Sequence, residues 1–222
     1  MKIKEIFPGV FRIGDDLFTK NLVPGEKVYG ERLVKINGVE YRFWDPFRSK
    51  PASAIKKGLK TFPLEEDSNI LYLGAATGTT ISHFSDIAKN GVIYAVEISE
   101  VPYRKLMDLS KKRFNIVPIL ADARKEKEYS DFIFGKVNVV YCDISQPDEV
   151  EIFIRNCEKY LKDDGYGMVA VKSRSIDVVK DPMEIYREAE KKIKAVGYEH
   201  LETVKLDPFE KDHAIIVCKK TK

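Results

Sequence analysis

Residues 70–80 read Ile70-Leu71-Tyr72-Leu73-Gly74-Ala75-Ala76-Thr77-Gly78-Thr79-Thr80, an apolar run broken by two glycines and followed by a helical pattern. Consecutive apolar residues bounded by a turn signal suit a strand buried on both faces. Gly74 and Gly78 let the chain turn sharply and let a ligand approach the backbone closely. A second apolar run, Val92-Ile93-Tyr94-Ala95-Val96, ends at Glu97, 23 residues after Gly74. A carboxylate there can accept hydrogen bonds from both hydroxyls of a ribose. The nicotinamide fingerprint asks for glycine at its first, third and sixth positions, which here are Gly74, Ala76 and Thr79. That poor match favours S-adenosylmethionine, which has a nucleoside but no pyrophosphate. The same letters also describe an ordinary strand–turn–helix of an α/β domain with no ligand.

Outward from this stretch, helical and extended patterns alternate from about residue 52. Helix is expected over Ala52–Leu59, 78–88, 100–113, 148–161 and 183–196. Strands are expected at 70–73, 92–97, 116–120, 137–142, 166–171, 200–206 and 213–218. Gly165 and Gly197 stand where helix ends favour glycine, and Asp181-Pro182 reads as the start of the last long helix. This alternation predicts an α/β fold, a doubly wound, mostly parallel Rossmann-like sheet with its ligand crevice at the strand C-termini. The last two strands have no helix between them and should form an antiparallel edge pair. Before residue 50 the pattern differs. Ile3–Phe7, Val10–Ile13, Leu33–Ile36 and Val39–Trp44 read as short strands, with Asn37-Gly38 as a hairpin turn. Residues 1–50 are therefore expected to form a small antiparallel β module, and 51–222 the nucleoside-binding domain.

A chain of 222 residues, 44% hydrophobic and 33% charged, can bury a full core. No apolar run approaches the ~20 residues of a membrane span. The start, MKIKEIFPGVF, lacks a secretory hydrophobic region, so a cytoplasmic protein is expected. Cys142, Cys157 and Cys218 are far apart and form neither a metal spacing nor a disulfide framework. Net charge is +3, and residues 1–50, with ten Lys/Arg against seven Asp/Glu, hold all of that excess. Tight unaided binding to nucleic acid is not expected, because affinity scales with the phosphates neutralised.

Polar residues just past strand ends are the candidates for chemistry. Asp122-Ala123 follows strand 116–120 and could receive an adenine amino group, although aspartate is also a common loop starter. Asp143-Ile144-Ser145-Gln146 follows strand 137–142, and Lys172-Ser173-Arg174-Ser175 follows 166–171. Neighbouring strands would bring Asp143 and Lys172 together, as a surface ion pair or as a partly desolvated functional pair. Pro46-Phe47-Arg48-Ser49-Lys50 joins the two modules as a basic linker or as part of the site. Asp212-His213 opens the last strand with an acid and an imidazole.

Taken in order, these segments resemble archaeal fibrillarins, the RNA 2′-O-methyltransferases of box C/D guide ribonucleoproteins. The resemblance rests on residues 44–50 (WDPFRSK), 73–80 (LGAATGTT), 122–124 (DAR), 143–148 (DISQPD), 171–177 (VKSRSID) and 212–214 (DHA). It implies a methyltransferase sheet with a β-rich N-terminal extension and methyl transfer from S-adenosylmethionine to a ribose 2′-hydroxyl of rRNA or tRNA. The implied cofactor contacts are Gly74, Ala75, Ala76, Gly78, Thr79, Thr80, Glu97, Ile98, Asp122, Ala123, Asp143, Ile144, Ser145 and Gln146. The implied catalytic set is Lys50, Asp143, Lys172 and His213, with Lys172 nearest the hydroxyl as base or as electrostatic stabiliser. Implied partners are a Nop-domain scaffold protein, a kink-turn-binding ribosomal-type protein, a box C/D guide RNA and the rRNA or tRNA substrate. Pro51 replaces the family's usual leucine, Ser145 and Ser173 stand where alanine is common, and Ile98 stands where an aromatic often packs. Two other readings stay open on the same residues, a small-molecule O-methyltransferase and a non-catalytic cofactor-binding or assembly module.

Overall fold

A computed structural model describes residues 3–221. Residues 1, 2 and 222, which the two expected domains include, lie outside the described residues. The N-terminal sheet holds β1 (Ile3–Phe7), β2 (Val10–Ile13), β3 (Asp16–Lys20), β4 (Leu33–Ile36) and β5 (Val39–Phe43) in the order β1-β2-β3-β5-β4, all antiparallel. Its β3 has no counterpart in the sequence reading. Asp15 and Asp16 read as turn residues, and only three of five positions in Asp16–Lys20 are buried. Asn37 and Gly38 both take positive φ, 50° and 81°, the conformation a tight hairpin turn demands.

The large sheet follows through α1 (Lys50–Lys56), β6 (Ile70–Leu73), α2 (Thr79–Ile87), β7 (Ile93–Glu97), α3 (Glu100–Ser110), β8 (Ile116–Leu120), β9 (Val137–Cys142), α4 (Glu149–Tyr160), β10 (Leu161–Lys172), α5 (Ser173–Ile176), α6 (Pro182–Ala195), β11 (Tyr198–Lys205) and β12 (His213–Lys220). Strand order is β11-β12-β10-β9-β6-β7-β8. The five strands from β10 to β8 are parallel, while β12 and β11 pair antiparallel at one edge. Side chains alternate between faces, as the pleat dictates. Leu71 and Leu73 join the core under α4 and α6, whereas Ile70 and Tyr72 join the core under α1, α2 and the N-terminal sheet. Burying each such side chain contributes roughly 1.5–3 kcal/mol.

Two local expectations shift. Gly165 lies inside β10 rather than at the end of α4, and Asp164, at φ 59°, makes the left-handed turn instead. A Cβ at Gly165 would stand 2.7 Å from Leu161 Cδ1, so close packing explains this glycine. Helix α1 begins at Lys50, two residues earlier than the pattern suggested, with Pro51 in its first turn.

A buried polar cluster fastens the small sheet to the large one. Asp86 of α2 accepts hydrogen bonds from Arg42 of β5 (2.8 Å), Arg113 (2.6 Å), Thr19 of β3 (2.6 Å) and the Leu22 amide (2.9 Å). Arg42 also donates to Glu31 at 2.7 Å. Burial, then Arg42 and Arg113, hold His83 well below the usual imidazole range, so its ring is neutral where it stacks on Trp44.

Candidate active site

Four loops, at the C-terminal ends of β6, β7, β8 and β9, enclose a cavity of about 310 Å³. Its first wall is the turn after β6. Gly74 takes φ 81°, and a Cβ there would stand 2.6 Å from the Asp143 carbonyl oxygen. Glycine is thus required where two strand ends meet. Ala76 is also left-handed, at φ 48°, and its amide donates to Glu97 Oε2 at 2.8 Å. The Ser99 amide donates to Glu97 Oε1 at 2.8 Å. Each carboxylate oxygen keeps a second lone pair, and Glu97 lines the cavity. The residue is thereby aimed, and two acceptor positions remain for a vicinal diol.

Asp122, Ala123, Ile98, Asp143, Ile144, Ser145 and Gln146 also line the cavity, with Gly74 and Ala76. Ala75, Gly78, Thr79 and Thr80 do not. Ala75 is 4% exposed, in the core. A Cβ on Gly78 would stand 2.4 Å from Leu109, so that glycine serves the packing of α3. Thr79 lines a second cavity with Arg48, Lys105 and Lys112. Thr80 Oγ1 donates to Ser49 Oγ at 3.1 Å. Val96, Ser99, Ala121, Arg124 and Ile152 complete the lining and were not among the expected cofactor contacts. Ser99, Ala121 and Arg124 carried a positional signal, lying one to four residues past the ends of β7 and β8.

Asp122 lines the cavity with its carboxylate already partnered. Arg124 Nε and Nη2 clasp its carboxylate at 2.7–3.0 Å, and the Arg124 amide adds a bond of 2.9 Å. The guanidinium beside it holds the Asp122 carboxyl below the usual range.

The reactive cluster lies where β9, β10 and α1 end or begin. Lys172 Nζ stands 2.8 Å and Lys50 Nζ 3.2 Å from Asp143 Oδ1, with all three side chains at most 16% exposed. Lys172 also donates to the Asp143 carbonyl (3.0 Å), the Ile144 carbonyl (2.8 Å) and Ser145 Oγ (2.9 Å). An ammonium has three N–H bonds, so these oxygens take them all. The contact with Asp143 Oδ1 is an ion pair rather than an aligned hydrogen bond, consistent with that oxygen lacking a hydrogen-bond partner. Lys50 occupies the first turn of α1, where the helix dipole disfavours a cation; Asp143 offsets that cost.

His213 is the cross-strand neighbour of Lys172. Its Nδ1 lies 2.6 Å from the Lys211 carbonyl, which fixes the ring with Nδ1–H donating and leaves Nε2 available. Behind Lys172, Glu149 Oε1 accepts the Lys172 amide at 2.7 Å, while Oε2 is buried without a partner. Burial pushes the Glu149 carboxyl up to about 8.

The cavity suits a nucleoside bearing a cationic sulfur. Its volume falls within the ~300–1,000 Å³ of small-molecule sites. Glu97 offers a diol acceptor, Ile98, Ala123 and Ile152 an apolar slot for a base, and Asp143 a carboxylate for positive charge.

The sequence model of the fibrillarin family matches residues 1–222. A fibrillarin-like rRNA/tRNA 2′-O-methyltransferase from Methanocaldococcus jannaschii is 49% identical over 222 residues, covering 98% of this chain and 96% of that protein. The crystal structure of Aeropyrum pernix fibrillarin with natively bound S-adenosyl-L-methionine superimposes with a TM-score of 0.89 at 42% identity, covering 98% of each chain. A fibrillarin in complex with Nop5p also gives a TM-score of 0.89, at 39% identity over 99% of this chain and 100% of that one.

Proposed function

The chain belongs to the fibrillarin family, and on that premise we propose that it transfers a methyl group from S-adenosylmethionine to a ribose 2′-hydroxyl of rRNA and tRNA. It works as the catalytic subunit of a box C/D ribonucleoprotein, with a Nop-domain scaffold protein beside it. A guide RNA and a kink-turn-binding protein complete the assembly. No helix among the described residues is long and apolar enough to cross a membrane, and we assign the protein to the cytoplasm. Residues 1–50 act as the β module that carries Lys50 to the site, and 51–222 as the methyltransferase domain.

When bound, S-adenosylmethionine supplies a methyl carbon on a cationic sulfur, the oxygen–carbon bond forming as the sulfur–carbon bond breaks to leave a neutral thioether, with the hydroxyl proton passing to water. Glu97 holds the cofactor's ribose diol. The Gly74–Ala76 backbone and the Asp143–Gln146 segment close around the rest. Alignment of the hydroxyl is the main contribution, and well-oriented reactants gain ~7–11 kcal/mol over free encounter. Lys172 is the cation closest to the forming oxyanion, and Lys50 and His213 position the ribose or its phosphate. Asp143 holds both lysines in place.

The observation that carries this reading is the junction of the Glu97-ended cavity with the Lys50–Asp143–Lys172 cluster. Asp143 belongs to both. The test is methylation by the assembled complex on two substrate strands, one with a ribose and one with a 2′-deoxyribose at the target. Transfer to the first and none to the second is expected. Equal transfer to both would place the methyl on a base or phosphate and overturn the assignment. Turnover of a free catechol would instead favour a small-molecule enzyme.

A further inference from the structure

Glu149 opens α4, a position where a carboxylate ordinarily faces water and meets the positive end of the helix dipole. Here the residue is 0% exposed. Its amide donates to the Gln146 carbonyl at 3.2 Å, and its Oε1 accepts the Lys172 amide at 2.7 Å. Those two bonds tie the segment Asp143–Gln146, which lines the cofactor cavity, to the strand end that carries Lys172. Oε2 is buried and has no hydrogen-bond partner among the described residues. Holding one backbone amide takes one oxygen, which a neutral amide side chain would supply as well. The second oxygen, stripped of water, is left over from that task.

Charges on the surrounding elements pull in opposite directions. Burial acts most strongly on the Glu149 carboxyl and keeps the proton on. The Lys172 amide, the Lys172 ammonium at the end of β10 and Lys50 of α1 favour the ionised form, and Asp143 after β9 opposes it. Cys142 of β9 and Tyr186 of α6 are both pushed up by burial, Lys192 of α6 is spent on Glu151 at 2.6 Å, and His213 of β12 lies across the strand pair from Lys172. With Glu149 protonated, Lys50 and Lys172 stand against Asp143 alone, two cations to one anion. With Glu149 ionised the same set is neutral. The forming oxyanion therefore meets net positive charge only while Glu149 keeps its proton.

We propose that Glu149 is a positioning residue for methyl transfer, holding the Lys172 backbone as a neutral acid and weakening the transfer when it ionises. The role rests on the RNA-methyltransferase reading and deepens it by one residue behind the site. Glu149 does not line the cofactor cavity, so it acts through Lys172 rather than on a ligand. Its bond to the Lys172 amide fixes where the lysine side chain starts. Its charge state sets how strongly the cluster attracts negative charge, because a charge buried away from water is felt over several ångströms.

The test follows single-turnover methylation by the complete complex, saturated with S-adenosylmethionine and RNA, from pH 6.5 to pH 9. The temperature is one at which circular dichroism shows every variant folded. The ratio of the Glu149→Gln rate to the wild-type rate should climb by about 5-fold or more across that range, as one buried negative charge appears in the wild type alone. Ionisations common to both proteins, those of His213 and the substrate hydroxyl included, cancel in the ratio. Glu149→Leu cannot accept the Lys172 amide and should run about 10-fold or more below Glu149→Gln at every pH, because Lys172 is misplaced. Its calorimetric affinity for S-adenosylmethionine should hold. A ratio that stays flat with pH would overturn the electrostatic role, and a Glu149→Leu rate equal to that of Glu149→Gln would overturn the positioning role. Carboxyl carbon-13 NMR of the free chain should show one resonance, absent from Glu149→Gln, that titrates within the same pH range. Titration of that resonance in the ordinary carboxylate range would overturn the proposal and leave the functional reading intact. A wild-type complex that methylates no RNA at any pH would overturn the functional reading itself, and the proposal with it.

Discussion

Lys172 Nζ has the Asp143 and Ile144 carbonyls and Ser145 Oγ within 3.0 Å, and the Asp143 carboxylate at 2.8 Å. To take a proton from the substrate it would first have to release one of these oxygens and its own proton. The geometry therefore favours a fixed cation that meets the oxyanion as it forms. Lys172→Ala should lower single-turnover methylation by ~10²-fold or more. Calorimetry should find S-adenosylmethionine affinity nearly unchanged, because Lys172 does not line the cavity. Lys172→Arg should not rescue, since a planar, larger guanidinium cannot fit three converging oxygens. Retention of more than about a tenth of the rate would move the role to Lys50, short of the ~10²-fold minimum. Glu97→Ala should do the opposite and weaken the cofactor by more than the ~1 kcal/mol of a neutral hydrogen bond, because a charged acceptor is lost. Glu149 carries a separate, pH-dependent consequence. Its carboxyl is raised by burial from 4.5 to about 8. Between those values the unfolded chain has released a proton that the folded chain keeps, so stability falls as pH rises through this window. The loss is absent below the lower value and complete above the upper one. Glu149→Gln keeps the acceptor for the Lys172 amide and cannot ionise. It should stabilise the protein at pH 8 by on the order of 2 kcal/mol, with no gain at pH 4. Denaturation at the two pH values checks this, and an equal effect at both would mean that Glu149 is charged throughout.

At the scale of elements, the site depends on how the β5–α1 connection is held against α2. Asp86 collects donors from β3, β5 and the chain just after α3, all buried. Removing one partner of a buried charge cluster strands the others and costs ~3–5 kcal/mol. Asp86→Asn should accordingly lower the melting temperature by on the order of 10 °C for a chain of this size. The activity that remains at low temperature should show a raised KM for RNA more than for the cofactor. Lys50 reaches the site from the small sheet's side, whereas Glu97 does not. A melting temperature within 2 °C of wild type, read against that scale, would show the cluster to be replaceable. The same elements mark how far the sequence could be read. The central strands were legible because burial on both faces leaves uninterrupted apolar runs, as in Ile70–Leu73 and, after Asn138, in Val139–Cys142. Strand β3 was not, because its first residue is a turn-forming aspartate and its buried Thr19 is polar, serving Asp86 rather than an apolar core. Asp143 and Lys172 could be paired from strand adjacency alone. Arg124 clasping Asp122 could not, because residues two apart on a loop reach each other only through a particular backbone turn.

For the whole molecule, charge decides how RNA is found. A net charge of +3 on 222 residues gives little long-range attraction for a polyanion. The cations near the site are largely engaged, Lys50 and Lys172 with Asp143, Arg174 with Asp212, and Arg48 with the Tyr29 carbonyl. Each phosphate neutralised would contribute about one unit of salt slope, and so few free cations leave that slope shallow and the affinity low. The isolated chain should therefore methylate naked RNA negligibly at physiological salt, although calorimetry should show that it binds S-adenosylmethionine unaided. Adding the Nop-domain scaffold, the kink-turn protein and the guide RNA should bring transfer to one ribose, set by the guide sequence. Lowering salt without partners should give at most slow methylation spread over many positions, because phosphate contacts carry no sequence information. Mapping methylated riboses across a salt series, with and without partners, distinguishes these outcomes. Strong, single-site methylation by the chain alone at physiological salt would mean that it reads RNA directly, and its near-neutral surface would then need another source of affinity.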